Sequence, residues 1–206
     1  MNRSILAILA LFSASTAFAA PPVKGDAKKG EVIANQVCAA CHGPDGNGTN
    51  PPNPDYPKLA GIQPEYLFKQ LKDFAVGKRK NDIMSAMVAN LSMDDLANLA
   101  LYFSAQKNMP GVSSNPELLE SGKKFYADGN PDQGVPACAG CHLPNGAGTS
   151  AYPHVAGQHA SYVFQQLKRF ASGERDNDRG LVMQSLSMRM TEQEMKAVSE
   201  YVTSLK

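Results

Sequence analysis

The feature that most constrains this chain is a Cys-x-x-Cys-His pattern that occurs twice, in register, inside a longer repeat. Cys38-Ala39-Ala40-Cys41-His42-Gly43-Pro44-Asp45-Gly46-Asn47-Gly48-Thr49 is echoed by Cys138-Ala139-Gly140-Cys141-His142-Leu143-Pro144-Asn145-Gly146-Ala147-Gly148-Thr149 at an offset of 100. The echo continues with Tyr66-Leu67-Phe68-Lys69-Gln70-Leu71-Lys72-Asp73-Phe74 against Tyr162-Val163-Phe164-Gln165-Gln166-Leu167-Lys168-Arg169-Phe170, now at an offset of 96, because extra Pro and Asn lie around 51–55 in the first half. Self-similarity at this period predicts two tandem domains of one fold. A chain of 206 residues accommodates two domains of about 90 residues each. The expected division is residues 20–108, a linker at 109–116, and residues 117–206. The linker's Pro-Gly and Ser-Ser-Asn-Pro composition suits an exposed connection.

Within each half the apolar period is helical: Leu96, Leu99, Ala100 and Phe103 in one, Met195, Val198, Val202 and Leu205 in the other. Each of these terminal helices opens on a capping pattern. Ser92-Met93-Asp94-Asp95 starts the first, and Thr191-Glu192-Gln193-Glu194 starts the second as a full capping box. Pro64 suits the first turn of a helix carrying Leu67, Leu71 and Phe74. No alternating run marks a strand, so the expected class is all-α.

The chain has four cysteines, all within the two motifs. Two thiols about one helical turn apart can add to the two vinyl groups of one haem, and the following histidine then projects its imidazole at the iron from the same face. A zinc site would bring its cysteine pairs within roughly 15 to 20 residues. A disulfide framework would not explain a histidine after each pair, and a thioredoxin-like redox pair belongs on a βαβ unit. The reading is therefore two covalently attached haem c groups, bound through Cys38, Cys41, Cys138 and Cys141, with His42 and His142 on the irons. Each haem also supplies the apolar body that so small a domain needs for a core.

These segments, with Tyr56-Pro57-Lys58-Leu59-Ala60-Gly61 matching Tyr152-Pro153-His154-Val155-Ala156-Gly157 and the Asn90-Leu91-Ser92 approach to the last helix, resemble the dihaem cytochrome c4 family over essentially all of the chain after its leader. The resemblance implies tandem class I cytochrome c domains and two His/Met-ligated haems facing each other across a pseudo-two-fold interface, with propionates near that contact. It also implies single-electron transfer in a respiratory chain, without catalysis. The expected partners are redox proteins: a membrane quinol-oxidising complex as donor and a terminal oxidase as acceptor. Two alternatives stay open, a cytochrome subunit of a flavin-linked dehydrogenase and a dihaem peroxidase, although matching ligands in both halves argue against the latter. The repeat selects the sixth ligands. Aligning Ser92 with Thr191 sets an offset of 99, under which Met84 meets Met183, whereas Met87, Met93, Met188, Met190 and Met195 meet no methionine.

Arg3, the apolar run Ile5 to Phe12 and Ala17-Phe18-Ala19 read as a secretory signal peptide over residues 1–19. Ser13, Ser15 and Thr16 interrupt the run well short of the about 18 to 20 apolar residues of a membrane span. The expected compartment is the periplasm, with peripheral membrane association left open and no transmembrane segment after cleavage. Lys and Arg number 20 against 19 Asp and Glu, so no global positive field exists to attract nucleic acid.

Other residues receive plainer readings. His154 and His159 are expected to make surface or loop hydrogen bonds. Lys78-Arg79-Lys80 reads as a solvated turn, with a docking patch or a propionate partner as its functional alternative. Tyr66, Tyr162, Phe68, Phe164, Phe74 and Phe170 read as core and haem-wall packing. The glycines at 46–48 and 146–148 read as turn formers near the macrocycle.

Overall fold

The computed structural model describes residues 22–49, 53 and 56–206, so the expected leader lies outside the described residues. Helix α1 (Ala27–Ile33) runs through a π-turn at Ala34–Cys38 into α2 (Ala39–His42), and α3 (Pro64–Ala75), α4 (Asp82–Val88) and α5 (Met93–Ser104) complete the first half. The second half repeats the order with α6 (Leu119–Asp128), α7 (Ala139–His142), α8 (Ala160–Ser172), α9 (Val182–Ser187) and α10 (Glu192–Ser204). Among the described residues there is no strand, only an isolated bridge between Asn130 and Val135. The fold is all-α.

Local chemistry sets the helix ends. Pro64 occupies the first turn of α3. Both terminal helices carry complete capping boxes, because the Asp95 carboxylate accepts from the Ser92 backbone N–H just as that of Glu194 does from the Thr191 N–H. Asp at this position thus does the work expected of Glu or Gln.

In each half the first helix crosses the last through a glycine. A Cβ at Gly30 would stand 2.1 Å from Asn98 O, and one at Gly122 would stand 2.1 Å from Ala197 O. The crossing therefore brings backbone against backbone, a distance that any side chain would forbid. Leu99, Ala100 and Phe103 pack with Ala34, Ile62 and Leu67 in the first core, while Val198, Val202 and Met195 pack with Phe125, Tyr126 and Leu167 in the second.

The connection between the halves is exposed at Met109 and Val112 but is strapped down elsewhere. Gly111 N donates to Thr203 O, and Lys58 Nζ donates to Met109 O. The buried Glu200 carboxylate accepts from the Ser113 and Ser114 hydroxyls and from the Ser114 and Asn115 backbone amides. Burial alone would raise the Glu200 pKa, but these hydrogen bonds outweigh it and hold the carboxyl below its ordinary value of 4.5. A depressed folded pKa contributes stability that is complete above the ordinary value and is lost as pH falls through the folded one. Acidification should therefore loosen residues 113–115, read as faster amide exchange there. Glu200→Gln should remove this pH dependence, and an equal acid response in that variant would refute the assignment.

The two halves meet across α3 and α8 and the loops that follow them. Arg79 donates to Tyr162 OH and to both Gln70 and Gln166 Oε1 at 2.8–2.9 Å. Reciprocally, Arg175 donates to Tyr66 OH at 2.9 Å, to Gln166 Oε1 at 2.8 Å and to Gln70 Oε1 at 3.3 Å. Arg79 lies over the Phe74 ring and Arg175 over the Phe170 ring. The same residue types contact each other in both directions, which is the signature of a two-fold contact. Lys78 and Lys80 are exposed, as a solvated turn requires, but Arg79 is turned into the interface. The tyrosine hydroxyls serve this contact too, a role that packing alone did not assign them. A second set of bonds joins the halves nearby. Gln158 pairs its side-chain amide with the Lys58 backbone, and Gln63 accepts from His154 N and donates to Ala147 O.

Candidate functional site

Cys38, Cys41 and His42 sit on one continuous helical segment because the π-turn at Ala34–Cys38 extends α1 into α2. Such single-turn bulges recur where a side chain must be re-aimed within a helix. In the second half Cys138 precedes α7, which carries Cys141 and His142, and the loop through Asn130 and Val135 replaces the π-turn. All four cysteines are half-buried, and none is joined in a disulfide. Burial, aided slightly by the neighbouring cysteine, pushes both the Cys38 and Cys138 thiols up to about 11. A disulfide-exchange pair needs the opposite, a depressed thiol pKa.

The histidines are held by a backbone device common to both halves. His42 Nδ1 lies 2.8 Å from Pro57 O, and His142 Nδ1 lies 2.9 Å from Pro153 O. A carbonyl can only accept, so each Nδ1 carries the proton and each Nε2 keeps its lone pair. This is the arrangement that orients a metal-binding imidazole and fixes its tautomer. Burial lowers the pKa of both rings, partly opposed by the carbonyl bond, so both are neutral at neutral pH. Tyr56 and Tyr152 meet these rings edge-on with centroids 6.2 and 6.3 Å away.

The proline carbonyls are positioned by the glycine loops. Gly48 N and Gly148 N donate to the carbonyls of His42 and His142, while Gly46 O and Gly146 O accept from the residues just after each proline segment, Leu59 and Ala60, and Val155 and Ala156. Gly46 and Gly146 have φ of 75° and 72°, where glycine is needed. At the residue after the histidine the halves differ. Gly43 has φ 75° and ψ 156°, and Leu143 adopts nearly the same conformation at φ 66° and ψ 156°. Such a conformation costs a non-glycine residue about 1–3 kcal/mol, against about 0.5–1 kcal/mol for the added entropy of glycine. Leu143→Gly should therefore stabilise the protein by about 1 kcal/mol, read as a higher urea midpoint at unchanged m. A lower midpoint would show that the leucine side chain contributes more than its backbone strain removes.

Met84 lies on α4 and packs beside the cluster of Phe74, Val88 and Leu96, which shares Phe68 and Leu71 with the cluster around Cys38. Met183 lies on α9 and packs against the cluster that also contacts Cys138. Asn81 Oδ1 accepts from Met84 N, and Asp178 Oδ2 accepts from Met183 N. Met87, Met93 and Met188 are exposed at 45%, 44% and 66%, so none of the three is packed into a core. Met190 and Met195 remain inside the second cluster.

The donor set fits two haem c groups: paired thiols, neutral imidazoles with a free Nε2, and one packed methionine on the matching helix of each half. The interface fits propionates as well, since Arg79 and Arg175 bring two guanidiniums together while the adjacent carboxylate, Asp73, is already paired with Lys69. His154 and His159 hold other positions. His154 Nε2 is within 3.1 Å of Asn108 Nδ2 and 3.0 Å of Ala156 O. His159 precedes α8, where its backbone N–H donates to Gln158 Oε1 and its buried Nε2 has no hydrogen-bond partner among the described residues.

Comparison with known proteins agrees with this geometry. A cytochrome c family model matches residues 119–206, and a model of the cbb3-type cytochrome c oxidase subunit III matches residues 25–103. The chain is 44% identical to cytochrome c4 of Thiocapsa roseopersicina over 91% of this chain and 96% of that one. It is 33% identical to a thiosulfate dehydrogenase electron acceptor of Thiomonas intermedia, over 96% and 90% of the two chains. The crystal structure of reduced recombinant cytochrome c4 from Pseudomonas stutzeri superposes with a TM-score of 0.84 at 40% identity, covering 89% of this chain and all of that one.

Proposed function

The chain belongs to the cytochrome c4 family and carries two covalent haem c groups, and from that premise we propose that it is a periplasmic carrier taking electrons from a quinol-oxidising complex to a terminal oxidase. Cys38 and Cys41 anchor one haem and Cys138 and Cys141 the other. His42 with Met84, and His142 with Met183, would be the residues that hold the two irons. The haems supply one-electron chemistry, and His/Met ligation sets them at the higher potentials that suit a position near an oxidase.

The observation that carries this reading is the equivalence of the two sites. Each imidazole is pinned by a proline carbonyl, and each half offers a packed methionine on the helix preceding its terminal one. A peroxidase needs one iron with a displaceable position, and nothing distinguishes one half in that way. The protein's own part is to orient the imidazoles, exclude water and keep the two halves in a fixed relation through the Arg79 and Arg175 contacts. Among the described residues no helix is long and apolar enough to cross a membrane.

Fractionation and depletion test the proposal. The haem-stained protein should be released with the periplasmic fraction, and membranes stripped of it should lose quinol-driven oxygen uptake until it is added back. The relative named as a thiosulfate dehydrogenase electron acceptor favours a second reading, that of a dehydrogenase's dedicated acceptor. Co-purification with a stoichiometric dehydrogenase, together with unaltered oxygen uptake in depleted membranes, would replace the first reading by the second.

A further inference from the structure

The two-fold relation also fails in the segment between the interface arginine and the proposed methionine ligand. Arg79 precedes Met84 by five residues, whereas Arg175 precedes Met183 by eight. The second half repeats Asn81-Asp82 as Asn177-Asp178 and then adds three residues before its methionine, and the lengthened segment enters the other half at Asn177. Asn177 is 1% exposed, and its Nδ2 donates to Gln70 Oε1 at 3.0 Å and to Asp73 Oδ2 at 2.6 Å, both on α3 of the first half. Its Oδ1 accepts from Arg175 Nε, and its backbone carbonyl accepts from Lys69 Nζ, again on α3. The next residue, Asp178, accepts from Met183 N at 2.6 Å.

Two consecutive side chains thus connect a helix of one half to the backbone of the methionine in the other. The first half has the cap, Asn81 on Met84, but among the described residues no hydrogen bond from the Asn81 side-chain amide crosses the interface. Between Asp178 and Met183 the chain also passes through positive φ at Gly180 (67°) and Leu181 (54°). A leucine in that region is held there by its surroundings rather than by its own preference.

We propose that Asn177 is a positioning residue for the second haem: the clamp onto Gln70 and Asp73 holds the 176–182 loop so that Met183 stays on its iron, making the second site, but not the first, dependent on contact between the halves. The inference rests on Met183 being the sixth ligand. Loss of this pair of hydrogen bonds should raise the fraction of Met183 off the iron about tenfold.

The test uses the complete two-haem protein in its ferric form and follows cyanide binding, which proceeds only where the methionine has left. Asn177→Ala should speed binding at one haem about tenfold and leave the other unchanged, with both haems still attached and the far-ultraviolet spectrum unaltered. Asn177→Asp, which keeps the size and cannot donate from that position, should behave like Asn177→Ala. Gln63→Ala, which removes interface bonds away from the loop, should leave both rates as they were. Equal acceleration at both haems, or acceleration by Gln63→Ala alone, would show general loosening and overturn the proposal. Met183→Ala separates the premise from the inference. If it leaves the sulfur-to-iron absorption whole, the ligand assignment is wrong. If it removes half of that absorption while Asn177→Ala changes no rate, the clamp is wrong.

Discussion

Replacement of Met84 or Met183 by alanine should each remove half of the weak red sulfur-to-iron absorption of the oxidised protein, lower the potential of one haem, and open one iron to carbon monoxide. The repeat alone pairs these two methionines, and the packing adds an independent reason. Met84 packs beside a cluster that shares Phe68 and Leu71 with the one contacting Cys38, and Met183 packs beside the cluster that contacts Cys138, whereas Met87 and Met188 project from the same stretches with 45% and 66% of their surface exposed. Thioether ligation raises the potential relative to ligands that favour the ferric state, so its loss lowers it. Met87→Ala and Met188→Ala should leave all three properties as they are. Loss of the absorption in either would mean that the wrong sulfur was chosen. In the second half Met190 and Met195 are packed in the same cluster as Met183, so Met190→Ala is the sharper control there.

Much of this arrangement was legible in the chain because each feature depended on near neighbours. The capping residues Ser92 and Thr191, Pro64 at the start of α3 and the three-to-four spacing of Leu96, Leu99 and Phe103 act within one or two turns. The paired motifs placed the cysteines and histidines in the same way. What escaped the sequence depends on contacts between distant segments. The Tyr-Pro pairs at 56–57 and 152–153 were visible as a likeness, but their role, a carbonyl for each Nδ1, requires the chain to return 15 residues later in one half and 11 in the other. Arg79 was hidden between two exposed lysines, and local composition gave its neighbours' environment to it. The repeat did contain the missing signal. Arg79 and Arg175 stand at the same offset of 96 as Tyr66 and Tyr162, so the cation recurs where the flanking charges do not. A basic residue retained in both copies, amid flanks that changed sign, marks a structural demand rather than a solvated turn. Asn177 does recur, since Asn81 stands 96 residues before it, but Asn81 caps Met84 whereas Asn177 reaches across the interface, so the likeness concealed the difference in role.

The interface arginines give the other large expected effect. Arg175→Met keeps the length and apolar stem but withdraws the donors to Tyr66 OH and Asn177 Oδ1, while Gln70 and Gln166 keep Arg79. The buried Asn177 acceptor left without its donor costs about 1–3 kcal/mol, the half-buried Tyr66 hydroxyl costs less, and loss of the stack on Phe170 adds about 0.5–2 kcal/mol. Against these stands relief of repulsion, because both guanidiniums converge on the Gln70 and Gln166 carbonyl oxygens. The net loss should be about 2–4 kcal/mol, a large part of the stability of a small domain. It should fall on the contact between the halves, so that urea unfolding, cooperative in the parent, separates into two transitions. Arg79→Met should act similarly through Tyr162. The double variant should lose more than the sum of the two, since the repulsion between the guanidiniums is relieved only once and Gln166 Oε1, which keeps one donor in either single variant, loses both. Strict additivity would mean that the two arginines act independently, and a single-variant loss within about 0.5 kcal/mol, the range of ordinary surface substitutions, would mean that the network contributes geometry but no stability.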